Sequence, residues 1–189
     1  LTFDIDAAGY AWNFGAGAPA AGEIDFRSVT AHEFGHCIGF VSTYMTNSDA
    51  WWSGGLTAFD QHLEDSAGNR AVAGGVGVPG NFNQNDDPVY FTGDNAKAAY
   101  GGNPVPIYAP AAYAPGSSLT HLDEASFSTA LMTPFLGLGQ SARTLSAVER
   151  GMLRDMGWTL AIPEPNVILL VFGTAAGLWL RRRVRWLSR

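Results

Sequence analysis

Alternating and periodic apolar residues predict short elements separated by long loops along the first 160 residues. Residues 1–6 alternate apolar and polar side chains, which predicts a half-buried strand. Residues 7–22 are rich in glycine and alanine, which predicts a loop. A helix follows with Asp25 or Ser28 as its N-cap, and Gly39 marks its end.

The middle of the chain, residues 43–120, is irregular and carries few periodic patterns. Phe59 and Leu63 are four residues apart, which is the spacing of one helix face. Glycine, asparagine and proline dominate residues 71–87 and indicate a loop. The remaining patterns predict a helix at 56–65, a strand at 88–91, a helix with an aspartate cap at 94–101 and extended chain at 104–118.

The last helix of this region is predicted to begin at Ser146, because Ser146 and Glu149 have the spacing of a capping box. Gly157 ends this helix, and Trp158 is predicted to fill the core behind it. Its apolar face consists of Val148, Met152 and Met156. Short strands and separate helices in this order predict an α+β fold with one domain over residues 1–160.

The first predicted helix contains the pattern His-Glu-x-x-His at His32, Glu33 and His36. Residues four apart on a helix share one face, so both imidazoles can reach one metal ion. Glu33 lies one step round the helix, within reach of a water bound to that ion. This is the pattern of zinc proteases, with two ligands and one general base. The alternative is a chance match on a core helix, and the apolar flanks and the following glycine argue against it.

Composition and charge narrow the class of protein. The chain has 23 glycines and 15% charged residues, which suits a loop-rich extracellular enzyme. It begins at Leu1 rather than Met, which predicts a fragment. Residues 1–160 carry six basic and sixteen acidic side chains, a net charge of −10, whereas residues 161–189 carry a net +4. An acidic domain repels phosphates, so we expect no nucleic acid partner.

Cys37 is the single cysteine of the chain, so no intramolecular disulfide can form. It follows His36 directly, which leaves two interpretations. Cys37 could be a metal ligand or a redox-sensitive thiol, or it could be a small buried residue that packs the helix. We expect the second, because a free cysteine usually behaves as a small apolar residue.

A third zinc ligand is needed, because a catalytic zinc keeps three protein ligands and one open position. In the short form of the motif that ligand is a histidine three residues after the glycine, but Ser42 stands there. The two remaining histidines are His62 and His121, and His62 is expected to be a solvated helix residue. The rival carboxylates are Asp60, Glu64, Asp123, Glu124 and Glu149. The capping box explains Glu149, and the two acids that follow His121 would orient its ring or stay solvated.

The residues after His121 carry a family resemblance. Eleven residues further on comes Met132 in Leu-Met-Thr-Pro, and His121 lies 85 residues after His36. This arrangement resembles the leishmanolysin branch of the metzincins over about residues 20–160, which implies a metzincin-like peptidase domain with a long irregular insertion. The roles implied by the resemblance are zinc (Zn2+) binding by His32, His36 and His121, general-base catalysis by Glu33, the turn at Gly39 and the Met-turn at Met132.

Residues 161–189 form a separate segment. Pro163-Glu164-Pro165 precedes an apolar run at 167–180, and an arginine cluster follows. This order resembles the PEP-CTERM sorting signal of Gram-negative bacteria, which an exosortase-type enzyme processes. The resemblance implies a transmembrane helix through residues 167–180 that anchors the exported protein in the inner membrane, before its transfer to the cell surface or extracellular matrix. The alternatives are a plain C-terminal anchor and an apolar helix packed on the domain.

Two functions fit these observations. The first is a secreted zinc endopeptidase that hydrolyses a protein or peptide substrate, with Glu33 activating the attacking water. Tyr108 and Tyr113 lie near the third candidate ligand in sequence and are candidates for an additional oxyanion donor. The second is a non-catalytic extracellular matrix protein with a structural zinc site. Glu33 favours the enzyme, since a structural site needs no base beside the metal.

Overall fold

The computed structural model describes residues 10–45, 50–51, 55–78 and 88–160. The chain divides between Thr159 and Leu160 into two units, and the elements given below belong to the first. The strand expected at residues 1–6 and the transmembrane segment expected within residues 161–189 lie outside the described residues. In the described ranges we find no helix with both the length and the apolar character needed to cross a bilayer.

A short parallel sheet precedes the helix that carries the motif. Its strands are β1 (Ala11–Asn13) and β2 (Glu23–Asp25). The prediction of a loop throughout residues 7–22 is therefore wrong. The indole of Trp12 in β1 packs edge-on against Phe26, with ring centroids 5.8 Å apart. This contact between residues separated in sequence stabilises a strand in a stretch whose glycine-rich composition predicted a loop.

The helix α1 (Phe26–Cys37) begins directly after β2. Asp25 is its N-cap, because the Asp25 carboxylate accepts a hydrogen bond from the backbone N–H of Ser28 at 3.1 Å. Ile38 is the C-cap residue, and Gly39 follows with a φ of +109°. That backbone conformation favours glycine, so the chain can turn away at the position expected from the sequence.

The long segment between α1 and His121 contains short antiparallel strands. Two hairpins are β3 (Tyr44–Met45) with β4 (Ala50–Trp51), and β6 (Val72–Ala73) with β7 (Val76–Gly77). A three-stranded sheet has the order β5 (Leu63–Asp65), β8 (Val89–Phe91) and β9 (Val105–Ile107). The strand expected at 88–91 is thus confirmed, and β9 lies in the stretch expected to be extended.

The helix expected at residues 56–65 is wrong. Only Asp60–His62 forms a single 3-10 turn, and the chain then enters β5. Phe59 and Leu63 are both fully buried, as their spacing suggested. Leu63 is opposite Phe91 in the antiparallel pair of β5 and β8, so sheet pairing overrides the local helical pattern.

The core beside the sheet is aromatic. Phe59 contacts Phe40 and Phe91, with ring centroid distances of 5.5 and 5.3 Å. All three side chains are fully buried. Trp158 does not fill the core as expected, because its side chain is 47% exposed. Its indole N–H instead donates to the carbonyl oxygen of Ile38 at 2.8 Å, which joins the end of the domain to the end of α1.

Three more helices lie within the described residues: α2 (Asp94–Ala99), α3 (Glu124–Phe127) and α4 (Ala147–Asp155). The predicted capping box is confirmed, since Ser146 and Glu149 each bond the other's backbone. The predicted aspartate cap of α2 is wrong. Asp155 from α4 instead accepts the backbone N–H groups of Asn95 and Ala96 at 3.0 and 2.9 Å. The domain is of the α+β class, as predicted.

Candidate metal centre

Three histidines from distant parts of the chain meet at one point. His32 and His36 project from α1, and His121 comes from the loop before α3. Their Nε2 atoms are 3.0 Å apart for His32 and His36, 3.2 Å for His36 and His121, and 3.1 Å for His121 and His32. Together they form a group of side chains that could bind one metal ion.

The other ring nitrogens fix the tautomer of each histidine. The Nδ1 atoms face backbone carbonyl oxygens, His32 that of Leu131 at 2.8 Å, His36 that of Phe40 at 2.6 Å and His121 that of Ser117 at 2.8 Å. A carbonyl oxygen can only accept, so each Nδ1 carries the proton and donates it. Each Nε2 therefore carries a lone pair. Three lone pairs this close repel one another unless a cation lies between them, so the donor set fits a metal ion.

The spacing of the donors also suits zinc. Tetrahedral zinc with Zn–N bonds of about 2.0–2.1 Å holds its nitrogen ligands roughly 3.3–3.4 Å apart. The observed separations of 3.0, 3.1 and 3.2 Å are slightly shorter. Small rotations of the imidazole rings would supply the difference.

Burial keeps the imidazoles of His36 and His121 in the form that binds metals. Desolvation lowers the pKa of His36, although the hydrogen bond to Phe40 opposes this. Desolvation also lowers the pKa of His121 to about 4, against the opposing hydrogen bond to Ser117. Both rings are therefore neutral at pH 7, which is the state that binds a metal.

The end of the three-stranded sheet positions His121. The backbone N–H of Tyr108, just after β9, donates to the carbonyl oxygen of His121 at 2.8 Å. The backbone N–H of Leu119 donates in turn to the carbonyl oxygen of Tyr108 at 2.9 Å. Leu119 has a φ of +64°, and among the described residues it is the one non-glycine residue with a positive φ. A strained, fully buried residue thus lies two positions before the third histidine.

Met132 packs against the middle of the motif. A Cβ atom placed on Gly35, the residue before His36, would overlap the sulfur of Met132. The Met132 side chain is fully buried. Its backbone N–H donates to Glu149 Oε1 at 2.7 Å, and its carbonyl oxygen accepts from the N–H of Leu122 at 2.8 Å. The turn at Met132 therefore joins α4, α1 and the residue after His121.

Two cavities lie beside the histidine cluster. The first, of about 200 Å³, is lined by Glu33 and His32 together with apolar residues that include Val29, Leu131 and Phe135. The second, of about 360 Å³, is lined by His36 and by residues of the loops 41–44 and 113–120. Glu33 thus shares a cavity with a histidine of the cluster, where a bound molecule could reach both.

Four of the five rival carboxylates, all but Glu124, have partners outside the histidine cluster. Asp60 is fully buried and accepts hydrogen bonds from Ser42 Oγ at 2.5 Å and from Thr57 N at 2.8 Å. Glu64 pairs with an arginine at 3.4 Å. Asp123 caps α3 and does not orient His121, whose Nδ1 faces the carbonyl oxygen of Ser117, so of the two expected roles for Asp123 only the partly solvated one remains. The metal-binding group found among the described residues contains no carboxylate.

Two minor expectations also fail. His62 is half-buried rather than solvated, because its ring packs on Phe91 with centroids 4.8 Å apart and its Nε2 faces the carbonyl oxygen of Asp155 at 3.0 Å. Cys37 is exposed rather than buried. It lies three residues after Phe34, whose side chain is 63% exposed, so both belong to a helix face turned toward solvent.

An ion pair that no sequence pattern predicted lies beside the first cavity. Arg143 donates from Nε and Nη2 to the carboxylate of Asp25 at 2.7 and 2.6 Å. These hydrogen bonds are the main cause that lowers the pKa of Asp25 to about 2. The neighbouring backbone N–H of Ala142 donates to Ser28 Oγ at 2.8 Å. Because the partners are 118 residues apart, no local pattern could reveal the pair.

Comparisons of the chain with protein-family models, with curated proteins and with solved structures found no match.

Proposed function

We propose that this protein is a zinc-dependent endopeptidase with a metzincin-like catalytic domain. One observation carries the proposal: three Nε2 lone pairs converge at 3.0 to 3.2 Å, with Glu33 lining the cavity beside them. His32, His36 and His121 would hold the ion. Three neutral imidazoles with a fourth position left for water or substrate are a donor set of catalytic zinc.

Zinc would act as a Lewis acid that polarises the substrate carbonyl and makes water nucleophilic at neutral pH. Glu33 accepts a proton from the attacking water as the water adds to the peptide carbonyl. The same carboxyl group then gives this proton to the leaving amine. The hydrogen bonds from each Nδ1 to backbone carbonyls keep the three imidazoles in their ligand tautomer throughout.

The metzincin comparison draws support from Met132. A methionine turn beneath the helix of the two histidines is the arrangement that the sequence resemblance implies, and Met132 packs on Gly35 of that helix. The proposed substrate class is a protein or peptide, which the resemblance to the metzincins implies. Export from a Gram-negative cell and processing by an exosortase-type enzyme remain part of the proposal and rest on the sequence of residues 161–189.

Replacing Glu33 by glutamine tests the enzyme proposal. The amide keeps the size of the side chain but cannot accept the proton, so hydrolysis of a broad peptide library should fall by about 10²- to 10⁴-fold or more. Zinc content measured by mass spectrometry and thermal unfolding should stay close to wild type, since Glu33 is not a ligand. His32→Ala should lose both zinc and activity.

A matched control is Glu64→Gln, which makes the same chemical change at a carboxylate on β5 that pairs with an arginine. It should retain wild-type hydrolysis. Equal activity of wild type and Glu33→Gln, or no hydrolysis by zinc-loaded full-length protein, would instead favour a structural zinc site.

A further inference from the structure

One peptide group lies between a carboxylate of α4 and a histidine of the metal centre. It is the amide that joins Leu131 to Met132. Its carbonyl oxygen accepts from His32 Nδ1 at 2.8 Å, and its N–H donates to Glu149 Oε1 at 2.7 Å. Glu149 and His32 are therefore hydrogen-bonded to opposite ends of the same amide, although they belong to two different helices.

The capping box explains one oxygen of Glu149 and leaves the other for this amide. Oε2 accepts the backbone N–H of Ser146 at 2.5 Å, which completes the cap of α4. Oε1 reaches Met132 instead. The Glu149 side chain is fully buried, and in the described part of the chain no Lys or Arg forms an ion pair with it. A negative charge on Glu149 is thus stabilised by two backbone N–H groups and by the N-terminal end of the α4 dipole.

Hydrogen bonds that share an amide polarise one another. A carboxylate makes a stronger hydrogen bond to an N–H group than a neutral acceptor does. That bond shifts electron density toward the carbonyl oxygen of the same amide, so the oxygen becomes a better acceptor for the Nδ1–H of His32. A stronger acceptor at Nδ1 fixes the orientation of the ring and makes Nε2 a more basic metal ligand.

The other two histidines of the cluster are bonded to amides with neutral partners. The amide that accepts from His36 donates through Val41 N to a backbone carbonyl oxygen at 2.8 Å. The amide that accepts from His121 donates through Ser118 N to another backbone carbonyl oxygen at 2.9 Å. Of the three imidazoles, that of His32 is the one connected to a carboxylate by this route, and the other two serve as internal references for its effect.

We propose that Glu149 is a positioning residue of the metal centre, which strengthens zinc binding by His32 through the amide between Leu131 and Met132. The inference rests on the zinc site of the proposed function. Glu149 contacts neither the ligand nitrogens nor the cavity beside Glu33, so it acts through the amide alone. The cap of α4, the turn at Met132 and the first histidine of the motif then form one hydrogen-bonded series.

Glu149→Gln tests this role. The substitution removes the charge, and the single carbonyl oxygen of glutamine can accept from only one of Met132 N and Ser146 N. Competition of full-length protein with a chromophoric chelator should show zinc affinity about 10- to 100-fold weaker than in wild type, as is typical when a partner behind a metal ligand is lost. The matched control is Ser146→Ala, which weakens the cap of α4 but keeps the bond between Glu149 and Met132. Its zinc affinity should equal that of wild type.

The Nδ1 protons of the histidines give a readout that a general loss of stability does not move. Their NMR resonances in zinc-loaded protein report the strength of each hydrogen bond, and they are assigned through contacts with Leu131 and Phe40. In Glu149→Gln the His32 proton should move upfield because its hydrogen bond weakens, whereas the His36 proton should keep its position. An unmoved His32 proton, or equal shifts of both protons, would overturn the inference.

A second variant covers a failure of Glu149→Gln to fold, judged by circular dichroism. Glu149→Asp keeps the charge but is one methylene shorter, so it cannot cap α4 and reach Met132 together, and the same two changes are expected. A folded Glu149 variant with wild-type zinc affinity overturns the inference and leaves the peptidase proposal intact, because hydrolysis is not part of this measurement. A zinc-loaded wild type that hydrolyses no peptide overturns the peptidase proposal alone, while zinc affinity and the His32 proton still decide the role of Glu149.

Discussion

Replacing Arg143 by methionine would leave the carboxylate of Asp25 buried and without its cation. Asp25 has no exposed side-chain surface, and the side chain of Arg143 is 25% exposed. A pKa lowered from 3.8 to about 2 corresponds to roughly 2 kcal/mol of stabilisation at neutral pH. Removing one partner of a buried pair typically costs about 3–5 kcal/mol. We expect the free energy of unfolding to fall by about 3 kcal/mol, because Ser28 still donates two hydrogen bonds to Asp25 and Arg143 is partly exposed.

The loss of unfolding free energy in Arg143→Met should become smaller as the pH falls. The pKa of Asp25 is lower in the folded chain than in the unfolded chain, so the unfolded chain binds more protons between about pH 4 and pH 2. The stabilisation by the pair is fully present above about pH 4 and disappears as the pH falls toward 2. In Arg143→Met the largest cause of the lowered pKa is gone and burial raises it. The difference in unfolding free energy between wild type and variant should therefore shrink in this window.

Urea unfolding followed by tryptophan fluorescence between pH 7 and pH 2.5 measures this difference. Titrations that the substitution does not change cancel in this difference. Asp25→Asn is the control background, because the added Arg143→Met change should there have a small and pH-independent effect. A wild-type-to-variant difference that is below about 0.5 kcal/mol, or constant with pH, would refute the reasoning about a buried pair.

Three further outcomes are expected. His121→Ala should lose bound zinc in metal analysis. Added zinc should no longer raise the Tm of this variant, because an ion that binds only the folded state stabilises that state. Retention of one zinc per chain would argue against His121 as a ligand. The variant Leu119→Gly should be more stable in urea than Leu119→Ala, since a left-handed backbone costs a non-glycine residue about 1–2 kcal/mol. The reverse order of stability would exclude backbone strain at position 119. Deleting residues 163–189 should leave thermal unfolding of the domain unchanged and move the protein from membrane to soluble fractions, whereas uncut full-length protein in the cytoplasm would exclude a sorting signal.

Sequence patterns predicted the elements whose ends depend on residues close to them in sequence. The capping box at Ser146 and Glu149 is present, and Asp25 caps α1. Elements that depend on distant partners were not predictable in this way. Leu63 belongs to a strand because β8 lies beside it, although its spacing from Phe59 suits a helix equally well.

The candidate site, too, was predictable only where nearby residues determine it. His32 and His36 follow from helix periodicity, whereas His121 was selected by family resemblance among several rivals. Their geometry depends on backbone carbonyl oxygens, such as that of Leu131, which every residue possesses and no side-chain pattern distinguishes. The cavities likewise arise from loops whose course depends on the whole fold.

The contact between Gly35 and Met132 has an evolutionary consequence. The two variable positions of His-Glu-x-x-His are unequal in this chain, because Phe34 faces solvent whereas Gly35 has no room for even a methyl group. Substitution at position 35 is therefore epistatic with position 132: an alanine requires the Met132 side chain to shift or a shorter residue to replace it. Descendants of this sequence should change the pair together or keep both, so the effective signature to search for is His-Glu-x-Gly-His together with a distant methionine.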